Sequence, residues 1–208
     1  DYIRFTTKIK KKMIYVFFAN GFEESEAIVP IDIMRRAGLE VTLISTTNDI
    51  MVTGSHGIVI KTDAKFNDVD FEDAELLVLP GGMPGTKNLD AHAGLCELLQ
   101  TSAEKGIKLA AICAAPMVFG NLGLLNGEKA TCYPGFEEYL IGAEYIEKNV
   151  VVSSNQFITS RGAGTAMDFG LKIVEILKNS KIAEGACRQR YSVKKKVRGA
   201  DRAGQGSC

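Results

Sequence analysis

The 208-residue chain has two histidines, His56 and His92, and five cysteines, Cys96, Cys113, Cys132, Cys187 and Cys208. The cysteine count is odd and the spacings match no zinc pattern, so neither a disulfide framework nor a metal site is expected. Unpaired cysteines belong in a reducing compartment, and a cytoplasmic location is expected. No apolar run approaches the about 20 residues of a membrane span. There is no excess charge of either sign: the formal net charge is zero. Hydrophobic residues make up 46% and charged residues 24%, which excludes a collagen-like, disordered or disulfide-scaffold protein. At this length one domain buries roughly 70% of the unfolded surface, enough for a core that needs no metal or disulfide.

The zero net charge hides an uneven distribution. Residues 1–12 carry net +4 and residues 178–208 net +7, leaving the body at −11. An acidic body excludes a nucleic-acid-binding core, which needs a basic face for phosphate contacts. The basic C-terminal segment, 181–208, reads as a solvated, poorly ordered tail, with a loose end over 199–208. Residues 1–12 read as a basic extension before Met13. Their lysines and the run Met13–Ala19 do not make a signal peptide, because the apolar run is too short and ends in Asn20-Gly21 and three glutamates. One domain is expected over residues 13–180.

Met13–Phe18 is a continuous apolar, β-prone run, the pattern of a strand buried on both faces of a parallel sheet. Glu23–Ala37 reads as a helix that stops at Gly38, with Pro30 either kinking it or opening its regular part. Glu40–Ser45 is a second strand. Met51–Thr53 and Ile58–Thr62 form a hairpin around Gly54-Ser55-His56-Gly57. Leu76–Leu79 and Lys108–Ile112 are further central strands. Helices are expected over 94–105, 114–122 and 164–177, the last with Ala166, Phe169 and Ile173 inward. Val150–Ser153 and Phe157–Thr159 pair around Asn155. Strands alternating with helices predict an α/β fold with a mostly parallel sheet covered on both faces.

Ligands of such sheets sit at the carboxyl ends of strands. Three segments put chemistry there: Asn20–Glu26, Pro80–Gly85 and Cys113–Pro116. Cys113 lies between a buried strand and a helix, the layout of a nucleophile elbow, where a helix N-terminus favours a thiolate. The same pattern fits a buried structural cysteine. Glu23, Glu24 and Glu26 crowd one turn; capping accounts for one or two of them, and one carboxylate is left to point inward. A buried glutamate stays protonated and can donate a hydrogen bond to a thiolate. Gly81-Gly82 lets backbone N–H groups approach a ligand oxygen, or it makes a turn and nothing more. It lacks the Lys-Ser/Thr of a phosphate loop. His92 reads as a surface residue, and His56 as a residue at the border of a site or a subunit contact.

Five ordered blocks carry a resemblance. They are Gly21-Phe22-Glu23-Glu24-Ser25-Glu26-Ala27, Asp32-Ile33-Met34-Arg35-Arg36-Ala37-Gly38, Leu79-Pro80-Gly81-Gly82, Ala110-Ala111-Ile112-Cys113-Ala114 and Thr159-Ser160-Arg161-Gly162. Over about Met13 to Leu177 the chain resembles the ThiJ/PfpI superfamily, in its Parkinsonism-associated protein deglycase branch. The resemblance implies a flavodoxin-like three-layer sandwich and a homodimer. It places the reactive cysteine at Cys113, the buried partner glutamate at Glu26, and oxyanion-type amides at Gly82 and Ala114, with Gly81 beside them. It implies no cofactor. The activities it implies are glyoxalase-type conversion of methylglyoxal to lactate and removal of early glycation adducts, together with oxidative-stress sensing through cysteine sulfinate and chaperone activity.

The chain departs from the pattern in four places. Tyr133-Pro134 stands where some members have a histidine before proline, which removes an imidazole proton shuttle. Ala114 stands where protease-like members have histidine after the nucleophile, so peptidase activity is not expected. His56 takes the place of an arginine that faces the site across the dimer in some members. The segment after Lys178 differs from the usual last helix. Three functions then compete: an enzyme acting on small reactive carbonyls, a redox sensor or chaperone using the same residues without turnover, and an inert interaction protein.

Overall fold

The structure is a computed structural model and describes residues 12–191, with side chains to residue 188. Eleven strands and six α-helices are formed by the described residues. The strands are β1 (Met13–Phe18), β2 (Val41–Ser45), β3 (Met51–Thr53), β4 (Val59–Lys61), β5 (Ala64–Lys65), β6 (Ala74–Leu79), β7 (Lys108–Ile112), β8 (Lys129–Ala130), β9 (Glu144–Tyr145), β10 (Val150–Ser153) and β11 (Phe157–Ser160). The helices are α1 (Glu24–Arg36), α2 (Gly85–Asp90), α3 (Ala93–Glu104), α4 (Pro116–Asn121), α5 (Ala166–Leu177) and α6 (Ser180–Tyr191).

Seven strands form one sheet in the order β10-β11-β7-β6-β1-β2-β5. All neighbours in it are parallel except β10, which runs antiparallel to β11 at one edge. β3 and β4 make a separate antiparallel hairpin, and β8 pairs with β9. This is the flavodoxin-like sandwich, with helices on both faces of the sheet.

The alternation of side chains along a strand explains why the central strands are apolar throughout. Ile14, Val16 and Phe18 of β1 join Leu76 and Val78 of β6 and Ala110 and Ile112 of β7 in one core, against α1 and α5. Tyr15 and Phe17 join Leu77, Leu79, Leu109 and Ala111 in a second core on the opposite face, against α3 and α4. Each residue of these strands is therefore needed on one face or the other.

On α5, Ala166, Phe169 and Ile173 are buried, as the helical period predicts. α1 runs unbroken across Pro30 and packs on α5, where Gly170 lets it approach. A Cβ at Gly170 would stand 2.9 Å from the Pro30 Cα.

The structure departs from the sequence reading at the C-terminal segment. Residues 180–191 form α6 rather than a solvated tail, and Ala183 and Ala186 are buried. Two small side chains at that spacing give a narrow apolar face, too weak a periodic signal to stand out among lysines and arginines. Residues 1–11 and 192–208 lie outside the described residues. Among the described residues no helix is long and apolar enough to cross a membrane.

Candidate functional site

β7, β6 and β1 are neighbours in the sheet and parallel, so their carboxyl ends lie side by side. The loops leaving these ends are tied together by their backbones. Glu23 N–H donates to Gly81 C=O at 2.8 Å, and Gly85 N–H to Gly21 C=O at 3.1 Å. Cys113 N–H donates to Ser160 C=O at 2.9 Å, at the end of β11. The three segments singled out in the sequence thus meet at one edge of the sheet.

Cys113 has φ of 66°, in the left-handed region that a non-glycine residue rarely adopts. It follows β7 directly, and α4 begins three residues later. The strained turn lifts its side chain out of the sheet, as a nucleophile elbow does.

The three glutamates of the first turn of α1 divide their tasks. Glu23 is the N-cap: its carboxylate accepts from Glu26 N–H at 2.6 Å and from the Ser25 hydroxyl at 2.7 Å. Glu24 turns to the hairpin, where Oε1 accepts from His56 N–H at 2.7 Å and Oε2 meets His56 Nδ1 at 2.8 Å. Glu26 points inward and is 2% exposed. It is the carboxyl that faces Cys113.

Gly81 is required by close approach. A Cβ there would run into Glu26 Oε2 and the Cβ of Cys113. Gly82 has φ of 95° and leaves no room for a side chain against Glu23 N and Gly21 O. The backbones of Gly82 and Ala114 favour the charged form of the Cys113 thiol. The Gly81 and Ala163 backbones act in the same way on the Glu26 carboxyl.

Burial pushes the Glu26 carboxyl up from 4.5 to about 7, against the hydrogen bond with the Cys113 thiol, which favours the charged form. Its Oε2 is buried and has no conventional hydrogen-bond partner, so the weak thiol contact leaves the charge poorly compensated. Burial also pushes the Cys113 thiol far above its ordinary value, followed by the charge of Glu26 and their hydrogen bond; the Ala114 and Gly82 N–H groups oppose this. The sequence reading expected a helix N-terminus to favour the thiolate. α4 has six residues, and two N–H groups do not offset burial. The two groups are coupled, and burial raises both, so the carboxyl gives up its proton before the thiol does.

Tyr133 borders the pair. Its N–H donates to Cys113 C=O at 2.8 Å, and its ring edge lies against Gly162. His56 is placed on Glu24 and Ser55, and its ring is largely exposed. The side-chain hydrogen bonds of Glu24 and its ring hold Glu24 down at about 2 despite the opposing effect of burial, and raise the His56 imidazole. His92 caps α3 by accepting from Leu95 N–H at 3.0 Å. Glu23, Glu24 and His56 bring three ligand-type atoms within 4.8 Å. The capping bonds of Glu23 and the Glu24–His56 pair already account for that cluster.

Two contributors escaped the sequence reading: the carbonyl of Ser160 and the backbone of Ala163. Both act through main-chain atoms, which side-chain identity does not reveal. A separate cleft of about 490 Å³, lined in part by Asn149, Asp168, Leu171 and Cys187, shares no residue with the Cys113 site. Cys96, Cys113, Cys132 and Cys187 are free thiols.

Comparison with known proteins shows the family to which this chain belongs. The DJ-1/PfpI family profile matches residues 12–176. The chain is 38% identical over 173 residues to Protein DJ-1 homolog B of Arabidopsis thaliana, covering 83% of this chain but 40% of that one. It is 36% identical over 157 residues to the glutathione-independent glyoxalase DJR-1.2 of Caenorhabditis elegans, covering 74% of this chain and 82% of that one. Oxidized DJ-1 of Toxoplasma gondii superposes with a TM-score of 0.82 at 37% identity, covering 86% of this chain and 97% of that one. The chain thus spans about two fifths of the Arabidopsis relative and nearly all of the Toxoplasma structure. A parallel sheet that presents a strained cysteine to a buried glutamate, within a profile match of this extent, assigns the chain to the DJ-1/PfpI family.

Proposed function

We propose that the chain is a cysteine-dependent, cofactor-free enzyme of glyoxalase type, acting on methylglyoxal-like 2-oxoaldehydes. The observation that carries this reading is the Cys113–Glu26 pair, a buried carboxyl hydrogen-bonded to a partly accessible thiol whose charged form the Gly82 and Ala114 backbones favour. Such a pair supplies a nucleophile and a base without a metal or an organic group. The glyoxalase name of the C. elegans relative supports the same reaction class. Early glycation adducts of proteins carry related carbonyl chemistry and are a second substrate class for the same pair.

Chemistry begins when Glu26 takes the thiol proton and the Cys113 sulfur bonds to the aldehyde carbon, giving a hemithioacetal. The Gly82 and Ala114 N–H groups hold its oxygen. Glu26 then passes its proton to the substrate and removes the hydrogen on that carbon. An enediol forms, and reprotonation at the neighbouring carbon leaves a lactoyl thioester. Water cleaves the thioester to lactate and restores the thiol. Purified protein should convert methylglyoxal to lactate without added thiol or metal. No lactate above the uncatalysed rate would refute the reading.

A second reading, redox sensing with or without chaperone activity, uses the same atoms, and the oxidized form of the Toxoplasma relative favours it. Cys113 should be the first cysteine taken to sulfinate by graded peroxide. It is partly accessible, and Glu26 and the two N–H groups can bond the sulfinate oxygens. Cys132 is fully buried and should lag. Peptide mass spectrometry reads the order. Earlier oxidation of Cys96, Cys132 or Cys187 would exclude Cys113 as the sensor.

A homodimer accompanies this proposal. Ile28 of α1 and Met51, Ile58 and Val59 of the hairpin are exposed apolar side chains on the elements that carry Glu24 and His56. Light scattering at micromolar concentration should show twice 22.5 kDa, and a 22.5 kDa particle alone would contradict it. Within the cell, the proposed location is the cytoplasm.

A further inference from the structure

Tyr133 is half exposed, at 49%, beside a glutamate that is 2% exposed. Its backbone is fixed at both ends. Its N–H donates to Cys113 C=O at 2.8 Å, and its C=O accepts from Phe136 N–H at 3.0 Å. The ring's place follows from Gly162: a Cβ there would stand 3.2 Å from Tyr133 Cδ2 and 3.7 Å from Glu26 Oε1. Ring edge and carboxyl therefore flank one backbone point. Phe136 meets Tyr133 edge-on, with centroids 6.3 Å apart. Tyr139 follows, 5.7 Å from Phe136, and is 37% exposed. Tyr133, the ring nearest the reacting pair, is the most exposed of the three, and Phe136 behind it packs on the core of the opposite sheet face. Core packing alone does not account for a ring that stays half exposed. A half-exposed aromatic face beside a buried reactive group is a usual means of holding an apolar or aromatic ligand group.

We infer that the Tyr133 ring, backed edge-on by Phe136, forms the subsite for the substrate's substituent and favours 2-oxoaldehydes bearing an aromatic ring over those bearing a methyl group. The inference rests on the dicarbonyl reading above and adds a residue that sets specificity. With the aldehyde carbon on the Cys113 sulfur, the half-exposed Tyr133 ring offers an open apolar face beside the pair. A methyl group is too small to cover that face; a phenyl group can lie against it. A ring-on-ring contact is worth about tenfold in kcat/KM.

The test compares phenylglyoxal with methylglyoxal on wild type, Tyr133→Ala and Tyr133→Phe. Wild type should prefer phenylglyoxal by about tenfold in kcat/KM. Tyr133→Ala should lose that preference through KM, phenylglyoxal falling about tenfold further than methylglyoxal, and Tyr133→Phe should keep the preference. In parallel, Cys113 alkylation by iodoacetamide and by N-benzyl iodoacetamide is followed by peptide mass spectrometry, each rate divided by that of glutathione. The Cys113 sulfur displaces iodide in both reagents, so no turnover is needed. The benzyl reagent should be favoured in wild type and Tyr133→Phe, and not in Tyr133→Ala. That alkylation pattern without turnover of either aldehyde would uphold the aromatic subsite and refute the dicarbonyl reading. Equal loss on both aldehydes in Tyr133→Ala, loss of the preference in Tyr133→Phe, or no benzyl preference in wild type would overturn the inference.

Discussion

Cys113→Ser is expected to lower methylglyoxal consumption by roughly a thousandfold or more, since removal of a nucleophile leaves only binding and oxyanion contributions. A serine hydroxyl is far more weakly acidic than a thiol. Glu26, held up to about 7, can take a proton from sulfur as it attacks but is a poor base towards an alcohol. Cys132→Ser serves as the control. Cys132 is buried on the opposite face of the sheet from Glu26, and its replacement should change the rate by about twofold at most. Comparable losses in both variants would show that Cys113 is not the nucleophile. The wild-type rate should also rise as pH increases through about 7, because the Cys113–Glu26 pair must lose one proton before sulfur can attack. A flat profile between pH 6 and 8, measured as kcat/KM, would remove Glu26 from the mechanism.

Replacing Glu26 should make the protein more stable at alkaline pH while it loses activity. The folded protein holds the Glu26 proton up to about pH 7, whereas the unfolded chain releases it near 4.5. Below 4.5 both states are protonated and there is no penalty. As pH rises from 4.5 to 7 the unfolded state gains the advantage of charging first, so stability falls across that window. A shift of this size corresponds to about 3 kcal/mol, an upper value for a group so closely coupled to its neighbour. Glu26→Gln keeps shape and polarity without the charge. It should gain about 1–3 kcal/mol over wild type at pH 8 and almost nothing at pH 4.5. Urea unfolding at the two pH values measures the difference. A pH-independent difference would mean that the Glu26 carboxyl titrates alike in the folded and the unfolded chain, so that burial does not raise it. A gain of this kind is expected where a charged group is kept buried for its chemistry.

Several elements were legible in the sequence because local pattern and tertiary role coincide. β1 and β7 have the predicted boundaries, since a strand buried on both faces must be apolar at every position. α1 and α5 were readable from their stop signal and period. β5, with two residues, and α2, with six, were not, since neither is long enough to show a period. α6 was masked by its charges.

Cys113, Glu26 and the Gly81-Gly82 turn could be nominated from sequence alone, because each stands just after a strand in a residue type that chemistry can use. Sequence also determined that one of three adjacent glutamates had a task other than capping. What each of them does is shown by the tertiary structure: Glu23 closes the helix, Glu24 meets the hairpin at His56, and Glu26 faces Cys113 at the end of β7. The protonation of the pair was decided there as well. The local sequence around Cys113 suggested a thiolate stabilised by a helix. Burial of the two groups side by side, a consequence of strand order, instead raises both, and the carboxyl ionises before the thiol. The physical reason is that a strand or a turn is specified by neighbours in the chain, whereas desolvation and charge coupling depend on which distant segments the sheet brings into contact.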